Sequence, residues 1–162
     1  LFFNKWCVII KEKKQNSKKI NLLNKFWKKI GSKVVFMNPN DHDKIFSITS
    51  HLPHLIAYNL IKTAQDSQKI QRKNLIQYSA GGLRDFSRIA ASNEIMWRDI
   101  FFSNDNIIKA INLFTKNLNS LKKIIQNKNN KKLLSRLSNS KKVRTQIIQL
   151  KQDVSKPDFG RE

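Results

Sequence analysis

Apolar positions in this chain form two short continuous runs near the start and then follow helical periodicity to the end. Trp6 to Ile10 (WCVII) is an unbroken apolar run of β-favouring residues and predicts a buried strand that includes Cys7. Ser17 opens a different pattern, with Ile20, Leu23, Phe26, Trp27 and Ile30 spaced three and four apart, and Gly31 stands where a helix C-cap is expected. Lys33 to Met37 (KVVFM) predicts a second strand. Strand, helix and strand with short joints is the unit of a parallel sheet. Two strands do not make a stable sheet alone, so this opening is expected to be the trailing edge of an α/β domain.

Asn38-Pro39 marks the boundary. Asn is a favoured N-cap, Pro suits the first helical position, and Asp41 and Asp43 complement the positive helix end. Every later apolar pattern is helical. A first long helix is expected from about Pro39 to Thr63, kinked at Pro53, whose ring clashes with the carbonyl of Thr49. A second is expected over roughly Gln68 to Tyr78. The Ala80-Gly81-Gly82 turn introduces a short helix through Ala91, and Ser92 caps another that ends at Phe102. Ser103 caps a long helix from about Asn104 to Gln126, where Ile107, Ile111, Phe114, Leu118, Leu121 and Ile125 alternate steps of four and three. That is the period of a helix packed lengthwise on partners, either in a core or at a subunit interface. Polar NKNN at 127–130 forms a turn. The last helix runs to about Val154, with Val143, Ile147, Leu150 and Val154 as its stripe, and KPDFGRE is an extended tail.

Composition is that of a globular chain, with 40% hydrophobic and 27% charged residues. One cysteine excludes an internal disulfide and a cysteine-based zinc site, and fits a reducing, cytoplasmic compartment. No apolar run approaches the roughly 18 residues of a membrane span, so no membrane partner is expected. The opening LFFNKW lacks an initiator Met and the layout of a signal peptide, and reads as the interior of a longer chain.

The net charge of +21 suggests a polyanion ligand until its distribution is examined. Residues 1–38 carry ten basic and one acidic residue, 39–106 carry eight and seven, and 107–162 carry fourteen and three. Net charges are therefore +9, +1 and +11, with the motif-rich middle neutral. Lysine makes up 25 of the 32 basic residues, alongside 18 Asn and 20 Ile, all amino acids with A/T-rich codons. Codon bias thus accounts for the lysines, and no nucleic-acid partner is expected.

Two segments carry candidate chemistry. In SITSHLPHLIAY, Ser50 to His54 spans four residues and His51 to His54 three, so α-helical spacing puts all three on neighbouring parts of one face, with Pro53 between the histidines. They read either as a pocket shaped around a ligand or as a pair of satisfied histidines. No Cys or Glu stands at ligand spacing, so no metal is expected. The second segment, Ser79 to Asn104, holds three arginines, two aspartates, a Trp and Gly81-Gly82. Arg84 and Arg88 share a helical face, with Asp85 one step round. A guanidinium binds a carboxylate in bidentate fashion, which lysine cannot do. Glycine permits φ > 0 and close approach of a ligand or a second helix. The alternative is an internal network in which Asp85 and Asp99 pair with the arginines and Trp97 is core.

HDKIFSITSHLPHLIAYNL, SAGGLRDFSRIAASNEIMWRDIFFSN and a terminal PDFGR together resemble the prephenate dehydrogenases, including the cyclohexadienyl and arogenate dehydrogenases. LFFNKW through KVVFMNP resembles the family's segment joining two domains. The resemblance implies a mainly α fold, an all-helical dimerisation domain preceded by a strand-helix-strand remnant of a Rossmann-type α/β domain. Residues 1–38 would be the C-terminal edge of the nucleotide-binding domain, 39–154 the substrate-binding and dimerisation domain, and 155–162 a tail.

It further implies oxidative decarboxylation of prephenate or arogenate with NAD or NADP, a homodimer, and tyrosine as a feedback inhibitor. Arg88 would bind the ring carboxylate, His54 and Ser50 would line the pocket, and Gly81 with Gly82 would form its wall. Asp85, Trp97, Arg84 and His51 would support the site or the interface. The family's glycine-rich nucleotide loop and catalytic histidine would lie upstream of Leu1, so the chain alone would hold no catalytic residue and be inactive. A standalone ligand-sensing helical module and a basic nucleic-acid-binding protein are the competing readings.

Overall fold

A computed structural model describes residues 1–12 and 15–152. The expected tail, its PDFGR motif and Val154 lie outside the described residues. The architecture is mainly α: a strand-helix-strand unit comes first and only helices follow. The chain divides into two compact units, Leu1–His51 and a second from Leu52 onward.

In the first unit β1 (Trp6–Ile10) and β2 (Lys33–Met37) pair in parallel, Trp6 opposite Lys33 through Ile10 opposite Met37. The Lys33 ammonium stands 5.8 Å from the Trp6 ring centroid, so in-register neighbours form a cation–π pair. The crossover is α1 (Ser17–Lys29), capped by Asn16, whose side chain accepts from the amides of Lys18 and Lys19. Gly31 ends it at φ +89°. A Cβ there would stand 2.6 Å from Phe3 Cδ2, so left-handed backbone and close approach both demand glycine. Phe2 meets Trp27 edge-on at 5.3 Å and holds the N-terminal segment on the helix. Ile9 is buried, whereas Cys7, two residues earlier on the same face of the strand, is only half-buried.

Asn38 caps α2 (Pro39–Phe46), accepting from the Asp41 amide at 2.9 Å, with Pro39 at the first helical position. Ser47–His51 then widens into a π-turn before α3 (Leu52–Gln71). This is the form taken by the disruption expected at Pro53. A π-turn relieves the missing amide and the ring clash without ending the helix.

In the second unit α3 continues to Gln71, eight residues past the expected end at Thr63. The helix expected over Gln68–Tyr78 does not form. Arg72, at φ 51°, breaks the chain out of α3, and only a 3-10 turn at Ile76–Tyr78 remains. The helices α4 (Gly81–Ala90), α5 (Glu94–Ser103), α6 (Asn106–Gln126) and α7 (Asn130–Gln149) follow. Two expected caps move. Asn93 rather than Ser92 caps α5, accepting from the Met96 amide at 2.8 Å, because its carboxamide reaches the third helical residue. Asp105, not Ser103, precedes α6, and Ser103 is the last residue of α5. The last helix stops at Gln149, where Leu150 and a left-handed Lys151 close it, short of the expected Val154. The core of this unit is small: Ala57 on α3, Trp97 on α5, and Ile107 and Ala110 on α6. α3 packs on α4 and α6, and α6 pairs with α7 across the turn at Asn127 to Asn129.

Candidate functional site

The helix pair α3–α4 and the start of α5 carry most of the candidate residues. His54, in the first turn of α3, stacks on Trp97 of α5 with ring centroids 3.8 Å apart and planes 22° from parallel. Trp97 is 5% exposed, and Phe101, one turn further along α5, lies against it with ring centroids 5.4 Å apart. The indole is therefore core, and the surface it offers a ligand is the half-buried imidazole stacked upon it.

Four residues after His54, and so on the same face of α3, the Tyr58 hydroxyl donates to the Ser92 carbonyl at 2.9 Å. Spacing could have flagged Tyr58, since it continues a run of four-residue steps from Ser50 through His54. Ser92 lies in the three-residue joint between α4 and α5, where its own hydroxyl donates to the Ile89 carbonyl at 2.8 Å.

Gly81 and Gly82 are the first two residues of α4, not a preceding turn, and neither has positive φ. The expectation of special backbone there fails. A Cβ on Gly82 would meet nothing within 4 Å, so the first turn of α4 borders open space.

Arg84 and Arg88 stand one turn apart and are both exposed, while Asp85 is half-buried. The internal Arg–Asp network does not form among the described residues. Asp85 bonds neither arginine, and Asp99 is taken by its neighbour Arg98 at 2.7 Å. Like charges at this spacing cost an isolated helix a few tenths of a kcal/mol. Arg88 is offset by its place in the last turn of α4, at the negative end of the helix. Two fork-shaped cations on one helical face, with no carboxylate to neutralise them, suit an anion supplied from outside.

Ser50 and His51 lie in the π-turn of the first unit, both half-buried. The α-helical spacing that would align them with His54 assumes an unbroken α-helix, which the π-turn interrupts.

The described residues do not fit a nucleotide-phosphate site. Between β1 and α1 there is no glycine, and the Asn16 carboxamide already takes up amides of the first turn of α1. Among the described residues there is no group of three or more His, Cys, Asp or Glu placed to hold a metal, and no helix long and apolar enough to cross a membrane.

Residues 38–139 match the family described as prephenate dehydrogenase, dimerization domain. A cyclohexadienyl dehydrogenase from Zymomonas mobilis is 35% identical over 120 residues, 74% of this chain and 41% of that protein. A prephenate dehydrogenase from Bacillus subtilis is 28% identical over 127 residues, 78% of this chain and 34% of that one. The crystal structure of an Aquifex aeolicus prephenate dehydrogenase, in complex with hydroxyphenyl propionate and NAD+, superposes with a TM-score of 0.81 at 37% identity, covering 90% of this chain and 51% of that one. A Synechocystis arogenate dehydrogenase shares the fold, with a TM-score of 0.75 at 22% identity. The chain thus spans about two fifths of the length of the curated relatives it matches.

Proposed function

This chain belongs to the prephenate dehydrogenase family, which it matches through the dimerization domain, and from that premise we propose that it forms the substrate-binding and dimerising part of a prephenate or arogenate dehydrogenase. The reaction is NAD- or NADP-dependent oxidative decarboxylation of a cyclohexadienyl acid. Residues 1–38 belong to the edge of the nucleotide-binding domain, and 39–154 to the domain that holds substrate and builds a homodimer.

One observation carries the reading: Arg84 and Arg88 form an exposed pair of guanidinium groups with no carboxylate partner among the described residues. A cyclohexadienyl substrate bears a carboxylate on the ring carbon from which CO2 departs. Arg88 is assigned to that group, as its principal contact. His54, held by Trp97, lines the pocket, and the open first turn at Gly81 and Gly82 forms part of its wall; Ser50 is assigned to substrate binding from the family resemblance. Asp85, Arg84 and His51 support the site or the interface. Tyrosine is assigned to the same domain as a feedback ligand. Hydride transfer requires groups this chain does not supply, so the 162 residues alone bind substrate without turning it over. The single thiol suits the reducing cytoplasm, where we place the enzyme.

The test is calorimetric titration of the chain with prephenate and with hydroxyphenyl propionate, which lacks the ring carboxylate. Arg88→Lys keeps the charge and loses the fork. It should weaken prephenate by about one charged hydrogen bond, roughly tenfold or more, and change hydroxyphenyl propionate by less than about threefold. Equal effects on both ligands would remove Arg88 from the ring carboxylate.

A further inference from the structure

Resting on that substrate reading, we propose that Tyr58 is a positioning residue for the site, acting through the Ser92 carbonyl to set the distance between Arg88 and His54. The joint between α4 and α5 is short. It contains only Ala91, Ser92 and Asn93, and each is tied to a helix end. The Ala91 amide donates to the Arg88 carbonyl at 3.3 Å, the Ser92 amide and hydroxyl both donate to the Ile89 carbonyl, and the Trp97 amide donates to the Asn93 carbonyl at 3.1 Å. Arg88 therefore stands four residues before Ser92 and Trp97 five after it, with little slack between.

Wherever Ser92 goes, the guanidinium-bearing end of α4 and the indole follow. The Tyr58 hydroxyl holds Ser92 from across the helix pair, through a 2.9 Å hydrogen bond between residues 34 apart in sequence. Tyr58 shares the face of α3 that carries His54, so the phenol and the His54–Trp97 stack pin the joint at two points one helical turn apart. Removing the hydroxyl leaves a part-buried carbonyl without its donor and one pin fewer.

Tyr58→Phe in the 162-residue chain, with Arg88→Lys alongside and Tyr78→Phe as the control, tests this. Tyr78 is 78% exposed. Affinity is measured by calorimetry with prephenate, well below the thermal midpoint of each variant, so that a purely stabilising role would move the midpoint and not the affinity. Tyr58→Phe should lose about five- to tenfold in prephenate affinity. It should also displace the His54 ring resonances, which the Trp97 ring current sets and which only two other histidines can overlap. Tyr78→Phe should change neither.

Wild-type affinity and unmoved His54 resonances in Tyr58→Phe, with Arg88→Lys still impaired, would overturn the role of Tyr58 and leave the substrate reading standing. Full affinity in both variants would overturn both. Should Tyr58→Phe fail to fold, difluorotyrosine at position 58 keeps the ring and has a more acidic phenol. Its ionisation removes the donor, so prephenate affinity should fall with rising pH through the phenol's titration in the labelled chain alone, and a flat profile counts against the proposal.

Discussion

The α6–α7 hairpin exposes apolar side chains that the proposed homodimer would cover. Leu113, Leu118 and Ile125 on α6, and Leu134, Leu137 and Val143 on α7, are each between 53% and 58% exposed except Leu118 at 52%. On α6, Leu118, Asn119, Leu121, Lys122, Ile125 and Gln126 line an open, largely apolar groove of about 440 Å³. Completely burying a leucine or isoleucine contributes about 1.5–3 kcal/mol, so covering the exposed half contributes about 1 kcal/mol. Replacing Leu118 and Ile125 with lysine removes two such side chains from each protomer, four from a symmetric dimer. The expected loss is about 4 kcal/mol, a rise in dimer Kd of about a thousandfold.

Sedimentation velocity over a concentration series measures this directly, with circular dichroism to show that the helices persist. Neither residue is buried in the protomer, so folding should survive. An unchanged monomer–dimer equilibrium in the double variant would refute this face as the interface. A wild-type chain that stays monomeric at high micromolar concentration would refute the dimer itself.

Four further outcomes follow from the same geometry. Because residues 107–162 carry a net charge of +11, two hairpins brought together repel, and the dimer should tighten as salt rises from low to moderate ionic strength. An affinity for DNA or RNA that falls steeply with salt would instead revive the polyanion reading. Gly31→Ala must adopt φ +89° and place a methyl 2.6 Å from Phe3, so it should destabilise the first unit by about 2–4 kcal/mol in a denaturant titration. Gly82→Ala has neither problem and should raise stability by about 0.5–1 kcal/mol, while weakening prephenate if that open turn is pocket wall. Asn38→Ala removes the cap of α2 and should cost about 1 kcal/mol by the same measurement.

Local chemistry made much of this fold legible. WCVII is apolar without a break and KVVFM is apolar after its first residue, both rich in β-favouring side chains, and they became the two strands with the expected ends. Asn38-Pro39 opened α2, and the four-three seam from Ile107 to Ile125 became α6, because caps and periodicity act within a turn or two of chain. Boundaries failed where competing signals were close. Ser92 and Asn93 both offer a side-chain acceptor, and only the geometry of the joint gave the cap to Asn93 and left Ser92 to receive Tyr58. The chain stays helical through the gap expected at 64–67, and Arg72 ends α3 inside the second expected helix.

The candidate site divides along the same line. Arg84, Asp85, Arg88 and Trp97 were visible in sequence because arginine is scarce here and clusters with aspartate and tryptophan in an electrically neutral stretch. Sequence alone also determined the strand-helix-strand opening, the helical remainder, and a family resemblance that residues 38–139 bear out. Tertiary structure decided what those residues do to one another. It left the two arginines exposed and without carboxylates among the described residues, buried Trp97 beneath His54, and tied Tyr58 to a carbonyl 34 residues away. Periodicity reports which face of a helix is apolar. It carries no record of which distant polar atom that face will meet, since such a contact depends on how three helices pack and not on any one of them.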